Sequence, residues 1–274
     1  MLESIISPGT AERNPWDMLI LGFTISSVSI WIGFYLSKTL MVPASMLALA
    51  ATVIALAPLI YRVLLIEEEK EETALHKSPI GFITRHLDVI SVYSFLFIGL
   101  LLSSIFWYVA LPHESSIFPT SDEVFGVQES TIPTVRAQIT GNTVDTGRYF
   151  KNLFENNTRV MWLCFVGSIL FGAGALWLIT WNASVIGVFI GVKIQADLLA
   201  GLGLPLGMSL WAIPEVLAYL VAAIAGGIVS VAVSRHHFKS ERFWITIFDS
   251  MLFMLIAIFL IFIGAYIEHF FVAA

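Results

Sequence analysis

The sequence predicts an all-α integral membrane protein: a polytopic bundle of about seven transmembrane helices with one long extracytoplasmic segment. Three observations carry this. Hydrophobic residues make up 58% of the 274 and charged residues only 12%, about half the roughly 25% that a soluble domain keeps for hydration. The mean hydropathy is +0.87. The apolar residues also come in runs of about 20, the length at which a helix rising 1.5 Å per residue crosses a hydrocarbon layer roughly 30 Å thick.

The elements follow in chain order. Residues 1–17 carry Glu3, Glu12, Arg13 and Asp17 before any apolar run. A cleavable signal peptide opens instead on basic residues and a short apolar core, so this stretch reads as a cytoplasmic N-terminus. Met18–Leu36, Pro43–Ile66 and Leu87–Leu111 read as the first three crossings, spanning 18–111, with a cytoplasmic loop at 67–86. The acidic run Glu67–Glu72 continues the second helix and reads as a solvated helical end.

Residues 112–159 form the one sizeable stretch outside the membrane. Its first part is rich in Ser, Thr and Pro and reads as irregular. Its end, Arg148–Asn156, places Phe150, Leu153 and Phe154 at helical spacing. That pattern fits an amphipathic helix on the membrane surface or a simple extension of the next span.

Residues 160–274 hold four further spans: Val160–Trp181, Ala183–Leu206, Pro214–Val233 and Phe243–Phe270. The second of these is broken by Lys193, Gln195, Asp197 and several glycines. Lys and Arg in short loops mark the cytoplasmic side. Arg62, Lys70, Lys77 and Arg85 surround the first basic loop, and Arg235, Lys239 and Arg242 the second. Seven crossings put both loops on one side, with the N-terminus cytoplasmic and the C-terminus extracytoplasmic.

The residue chemistry excludes several classes. A net charge of −6 opposes a nucleic-acid partner, because phosphate binding needs clustered Lys and Arg. The single cysteine, Cys164, rules out an internal disulfide and reads as a small buried hydrophobe. No zinc, phosphate-loop or nucleophile-elbow motif is present. His236 and His237 belong to a charged loop, while His76, His86, His113 and His269 are scattered. No cofactor, metal or catalytic residue is expected, and no enzyme activity. The lipid bilayer is the expected surrounding partner.

Ionisable and polar groups inside spans are costly there and usually face a partner or water. Asn182, Lys193, Asp197 and Glu215 are the candidate polar or ligand site. Lys193 and Asp197 share a helix face at i, i+4 spacing. Glu215 follows Pro214, and proline suits the first helical position, so Glu215 also fits a capping carboxylate at an interface. Small residues mark helix packing: Gly187 and Gly191, and the ridge Ala218, Ala222, Gly226 and Ser230 at four-residue spacing. Such ridges let backbones approach within a bundle or between copies of the chain, so a homo-oligomer is one expectation.

The stretch Asn156–Gly191 (NNTRVMWLCFVGSILFGAGALWLITWNASVIGVFIG) and the later Ile213-Pro214-Glu215 block followed by AAIAGGIVS resemble the stage II sporulation protein M family, most closely its archaeal branch. The positions that carry the resemblance are Asn156, Asn157, Gly172, Gly174, Asn182 and Pro214, within a family core at 156–230. The chain departs from the family where members carry His-Gly before Ile-Pro-Glu, since Trp211 and Ala212 stand there. The resemblance implies a non-enzymatic envelope scaffold or membrane-remodelling component, with membrane or envelope proteins as partners. The alternative expectation is a transporter or permease subunit with a polar site around the fifth helix. A carrier would bring Asn182, Lys193, Asp197 and Glu215 onto one cavity; a scaffold would leave them paired or at interfaces.

Overall fold

A computed structural model describes residues 7–73, 81–112, 120–140, 146–235 and 241–273. Lys77, His76, His113, His236, His237 and Lys239 lie outside them. Every regular element among the described residues is an α-helix, as expected where backbone polar groups must find partners inside their own segment. They are α1 (Pro8–Arg13), α2 (Trp16–Leu40), α3 (Ala44–Thr73), α4 (Gly81–Ala110), α5 (Ser121–Thr140), α6 (Thr146–Phe171), α7 (Leu176–Ala196), α8 (Leu198–Ser234) and α9 (Glu241–Ala273).

Among the described residues, six helices are long and apolar enough to cross a membrane: Trp16–Leu40, Ala44–Glu69, His86–Ala110, Leu176–Ala196, Gly207–Ser234 and Phe243–Phe271. The first three and the last match the predicted spans closely. The middle of the chain differs. The predicted span Val160–Trp181 is split, because Gly172 adopts a left-handed backbone (φ 65°) and ends α6. The apolar part of α6 is then only Val160–Phe171, below it come Glu155, Asn156, Asn157 and Arg159, and the helix fails as a span by composition. The predicted segment Ala183–Leu206 is also not one unit. α7 ends at Ala196, where the extended backbone of Asp197 (φ −154°, ψ 114°) stops the helix, and α8 starts immediately after it.

Two other differences follow from neighbours the sequence does not display. Pro214 does not open a helix, since α8 runs 37 residues through Pro205 and Pro214. The stretch after Leu111, expected to be irregular, contains α5, which lays Val124 and Phe125 into a small apolar cluster with Ile30, Phe34, Tyr108 and Val188. Burial of those side chains, at about 25 cal/mol per Å² of apolar area, offsets the weak helical preference of the segment. Arg148–Asn156 belongs to α6, the extension reading.

Packing fixes the directions of the long helices. Ser27 and Ser103 share a hydrogen bond of 3.1 Å and Trp31 meets Trp107 edge-on, so α2 and α4 run parallel. Gly187 lies against Ser104 and Gly191 against Tyr108, so α7 runs parallel to α4. Asn157 faces Glu215, Ser168 faces Gly226 and Gly172 approaches Ser230, each pair equally spaced in sequence, so α6 and α8 are parallel and in register. α9 returns antiparallel to α8, with Gly264 on Glu215 and the Ser250 hydroxyl donating to the Ala225 carbonyl at 3.2 Å.

The ends of α3 and α8 meet at one end of the bundle. Arg235 donates to Glu68 and to Glu69, both at 2.8 Å. Glu67 pairs with His86, both side chains fully buried. The acidic run is therefore only partly solvated: Glu67 and Glu68 are drawn inside because a cation or imidazole waits there. The geometry brings the boundaries of the two basic loops to the same end.

Candidate functional site

Glu215 is the candidate polar residue that the fold draws into a cluster. It stands on α8 where α6 and α9 converge. Gly264 of α9 makes the room, since a Cβ there would lie 2.5 Å from Glu215 Cγ and 3.0 Å from the Trp211 carbonyl. Asn157 of α6, only 6% exposed, places its side chain beside the Glu215 carboxyl, and the Glu268 carboxylate of α9 acts on it electrostatically.

Around this pair the cluster closes with aromatic and polar groups. Tyr149 donates its hydroxyl to Glu268 Oε1 at 3.1 Å. The rings of Tyr149 and Phe150 lie 6.2 and 5.9 Å from that of His269, and Trp211 stacks on Phe271 at 6.5 Å. Tyr219 lies one turn further along α8, 8% exposed. Among the described residues, Glu215 Oε1 and His269 Nδ1 are buried without a hydrogen-bond partner. Two carboxylates, an imidazole, an amide and two phenols thus share one end of the bundle. Such groups can hold a polar guest or a partner's donor. Among the described residues, no three His, Cys, Asp or Glu side chains are placed to share a metal ion.

The other three candidates do not join Glu215. Asn182 donates to the Leu178 carbonyl of its own helix at 2.8 Å. Lys193 is exposed over the Phe189 ring at 6.0 Å. Asp197 is exposed at the end of α7, where Oδ1 accepts the Leu199 N–H at 2.9 Å. A cavity of about 360 Å³ between α4, α7 and α8 is walled mostly by apolar groups such as Phe97, Ile186, Met208 and Val216, and none of the four lines it. Sequence reasoning missed Tyr149, Glu268 and His269. The adjacent ionisable pair Glu268-His269, at the end of the apolar run of α9, was the available signal.

The packing residues and family-motif positions have local roles. Ala218 and Ala222 are fully buried, and Gly226 presses its bare face on the Phe165 carbonyl and Ser168 of α6. The ridge is thus covered within a single chain from Ala218 to Gly226, with Ser230 half-buried at its end. Gly172 and Gly174 build the α6–α7 turn, the latter against the Gly167 carbonyl. Asn156 donates to Asn157 Oδ1 at 3.2 Å. Pro214 precedes Glu215 inside α8, and Trp211 stands one turn away. Cys164 is a free, fully buried thiol.

No curated protein and no solved structure matches the chain. The family model described as Stage II sporulation protein M matches residues 92–272, which takes in α7, α8, nearly all of α9 and the whole Glu215 cluster. The chain belongs to that family.

Proposed function

We propose that this member of the stage II sporulation protein M family is a non-enzymatic multi-pass membrane protein serving as an envelope scaffold or membrane-remodelling component. The dispersal of Asn182, Lys193 and Asp197 away from Glu215 supports the reading best. A carrier gathers its polar groups on one cavity near the midplane, where broken helices expose them. Here each of the three is engaged at an interface or with its own helix. In this reading all seven long helices traverse the bilayer, α6 with a polar head; the N-terminus is cytoplasmic and the segment 112–159 is extracytoplasmic, presenting α5 and the start of α6 to membrane or envelope proteins. Because the small-residue ridge is covered within the chain, any homo-oligomer uses another face.

The test pairs two measurements on the full chain. Affinity purification from native membranes should recover a defined set of membrane or envelope proteins whose recovery depends on α5. Proteoliposomes should show no solute flux above empty liposomes. Flux that falls on Glu215→Gln would overturn the scaffold.

One observation favours the second reading, a transport component. Glu215 and Glu268 are two carboxylates held within apolar helices, and ionisable groups there commonly mark ion or substrate paths. Flux lost in Glu215→Gln with the fold intact is the result that would promote it.

A further inference from the structure

A second polar site lies in the other half of the molecule, under α5. Between α2, α3, α4 and α7 is a cavity of about 30 Å³, and α5 closes it with Val124, Phe125 and Gln128. Six Ser and Thr residues line it: Ser26, Ser45, Thr52, Ser104, Thr180 and Ser184.

Thr52 donates to the Ala48 carbonyl at 2.9 Å, Ser104 to Leu100 at 3.1 Å and Ser184 to Trp181 at 2.8 Å. These three hydroxyl protons are committed to backbone, which leaves oxygen lone pairs for the cavity. Gln128, 2% exposed, donates through Nε2 to Ser184 Oγ at 3.2 Å, but its Oε1 is buried with no partner. Thr180, 5% exposed, has a buried hydroxyl with no partner either, among the described residues. An acceptor wants a donor, and a hydroxyl is free to give a proton.

We propose that this cavity is a binding site for one water molecule, which donates to Gln128 Oε1, accepts from the Thr180 hydroxyl and so ties α5 to α7 inside the bundle. The size fits, because a cavity needs only roughly 10–15 Å³ of such space to hold a water, and the water needs two to four polar partners. An acyl chain does not fit that volume. Among the described residues no carboxylate lines the cavity, so a cation would have to leave water for neutral oxygens alone, at a large desolvation cost. The bound water makes α5 more than an apolar cover. Its contacts with the membrane helices include three polar ones: Gln128 to Ser184, Tyr108 to Glu129, and the water.

Thr180→Val is the discriminating variant, because it keeps the shape and removes a hydroxyl that bonds no protein group. With the full chain in nanodiscs, the water predicts a fall in thermal midpoint of about 2–4 °C for the lost bridge. Gln128→Leu should fall further, since it also loses the Ser184 bond, and adding Thr180→Val to it should cost less than in the wild type. A dry cavity predicts the opposite sign, since Thr180→Val then deletes an unsatisfied buried group; an unchanged or raised midpoint overturns the proposal. The midpoint should be the same in sodium, potassium and N-methylglucamine salts. A rise specific to sodium that disappears in Gln128→Leu would replace the water with a cation.

Discussion

Gly226 of α8 presses so closely on the Phe165 carbonyl of α6 that a Cβ at this position would fall inside van der Waals distance of its oxygen, with Ser168 Cβ 2.9 Å away. Backbone cannot withdraw as a flexible side chain can. We expect Gly226→Leu to destabilise by about 3 kcal/mol or more, at or beyond the usual range for overpacking. Lys193→Ala, at an exposed site, should stay within about 0.5 kcal/mol. Thermal unfolding in one detergent compares them, and equal mild effects would contradict the packing.

Gly172 carries two separable constraints. Its φ of 65° disfavours any side chain, and a Cβ would stand 2.8 Å from the Tyr61 ring. Gly172→Ala should therefore cost about 1–3 kcal/mol. Adding Tyr61→Ala should not recover the backbone share. Full recovery in the double variant would show that the turn tolerates a side chain.

Arg235 serves a buried carboxylate and an exposed one. Glu68 is 2% exposed at its side chain and Glu69 60%. Arg235→Ala strips the guanidinium from buried Glu68 and should cost about 2–4 kcal/mol. Glu69→Ala should change stability by at most about 0.5 kcal/mol. A double-mutant cycle over Arg235 and Glu68 checks this; a coupling near zero would remove the staple between the two loop boundaries.

Tyr149→Phe keeps the aromatic contact with His269 and deletes the hydrogen bond to Glu268. Such a bond to a carboxylate contributes about 1.5–3 kcal/mol, and we expect a loss in the lower part of that range because Tyr149 is only half-buried. Glu268→Gln offers a weaker acceptor to the same hydroxyl. Tyr149→Phe should therefore have a smaller effect in the Glu268→Gln background than in the wild type, which equilibrium unfolding would show.

Single cysteines introduced in a Cys164→Ser background test the topology. Cysteine at Lys193 should react with an impermeant maleimide added outside cells, and cysteine at Arg235 only after the membrane is opened. The reverse pattern would invert the orientation.

Where burial follows from one helix's own composition, the fold was legible. The candidate spans within α2, α3, α4 and α9 are continuous apolar runs, and their bounds lie within a few residues of those expected. The middle was harder, because its boundaries depend on single backbones. The left-handed Gly172 divides one apolar run in two, and Pro205 and Pro214 signal breaks that α8 does not make, a tolerance common in membrane helices whose neighbours re-satisfy the freed carbonyls. The site was legible only at Glu215. Tyr149, Glu268 and His269 become its neighbours through the parallel α6–α8 register and the antiparallel α9, and no local pattern reveals which helix faces which. Gln128 escaped notice for a similar reason: a polar residue in a polar stretch draws attention only once α5 is seen to dip among the membrane helices.

The parallel pairing of α6 and α8 also sets an order of events during synthesis. Two neighbours pointing the same way cannot close as a hairpin; the chain must first return along the whole length of α7. When α6 emerges from the ribosome, the face that will meet Gly226 has no partner, and its polar head, with Asn156, Asn157 and Arg159, has no Glu215 to face. One of the closest helix contacts among the described residues is therefore also one of the last to form, and the nascent chain has to shelter α6 until more than 50 further residues have been made.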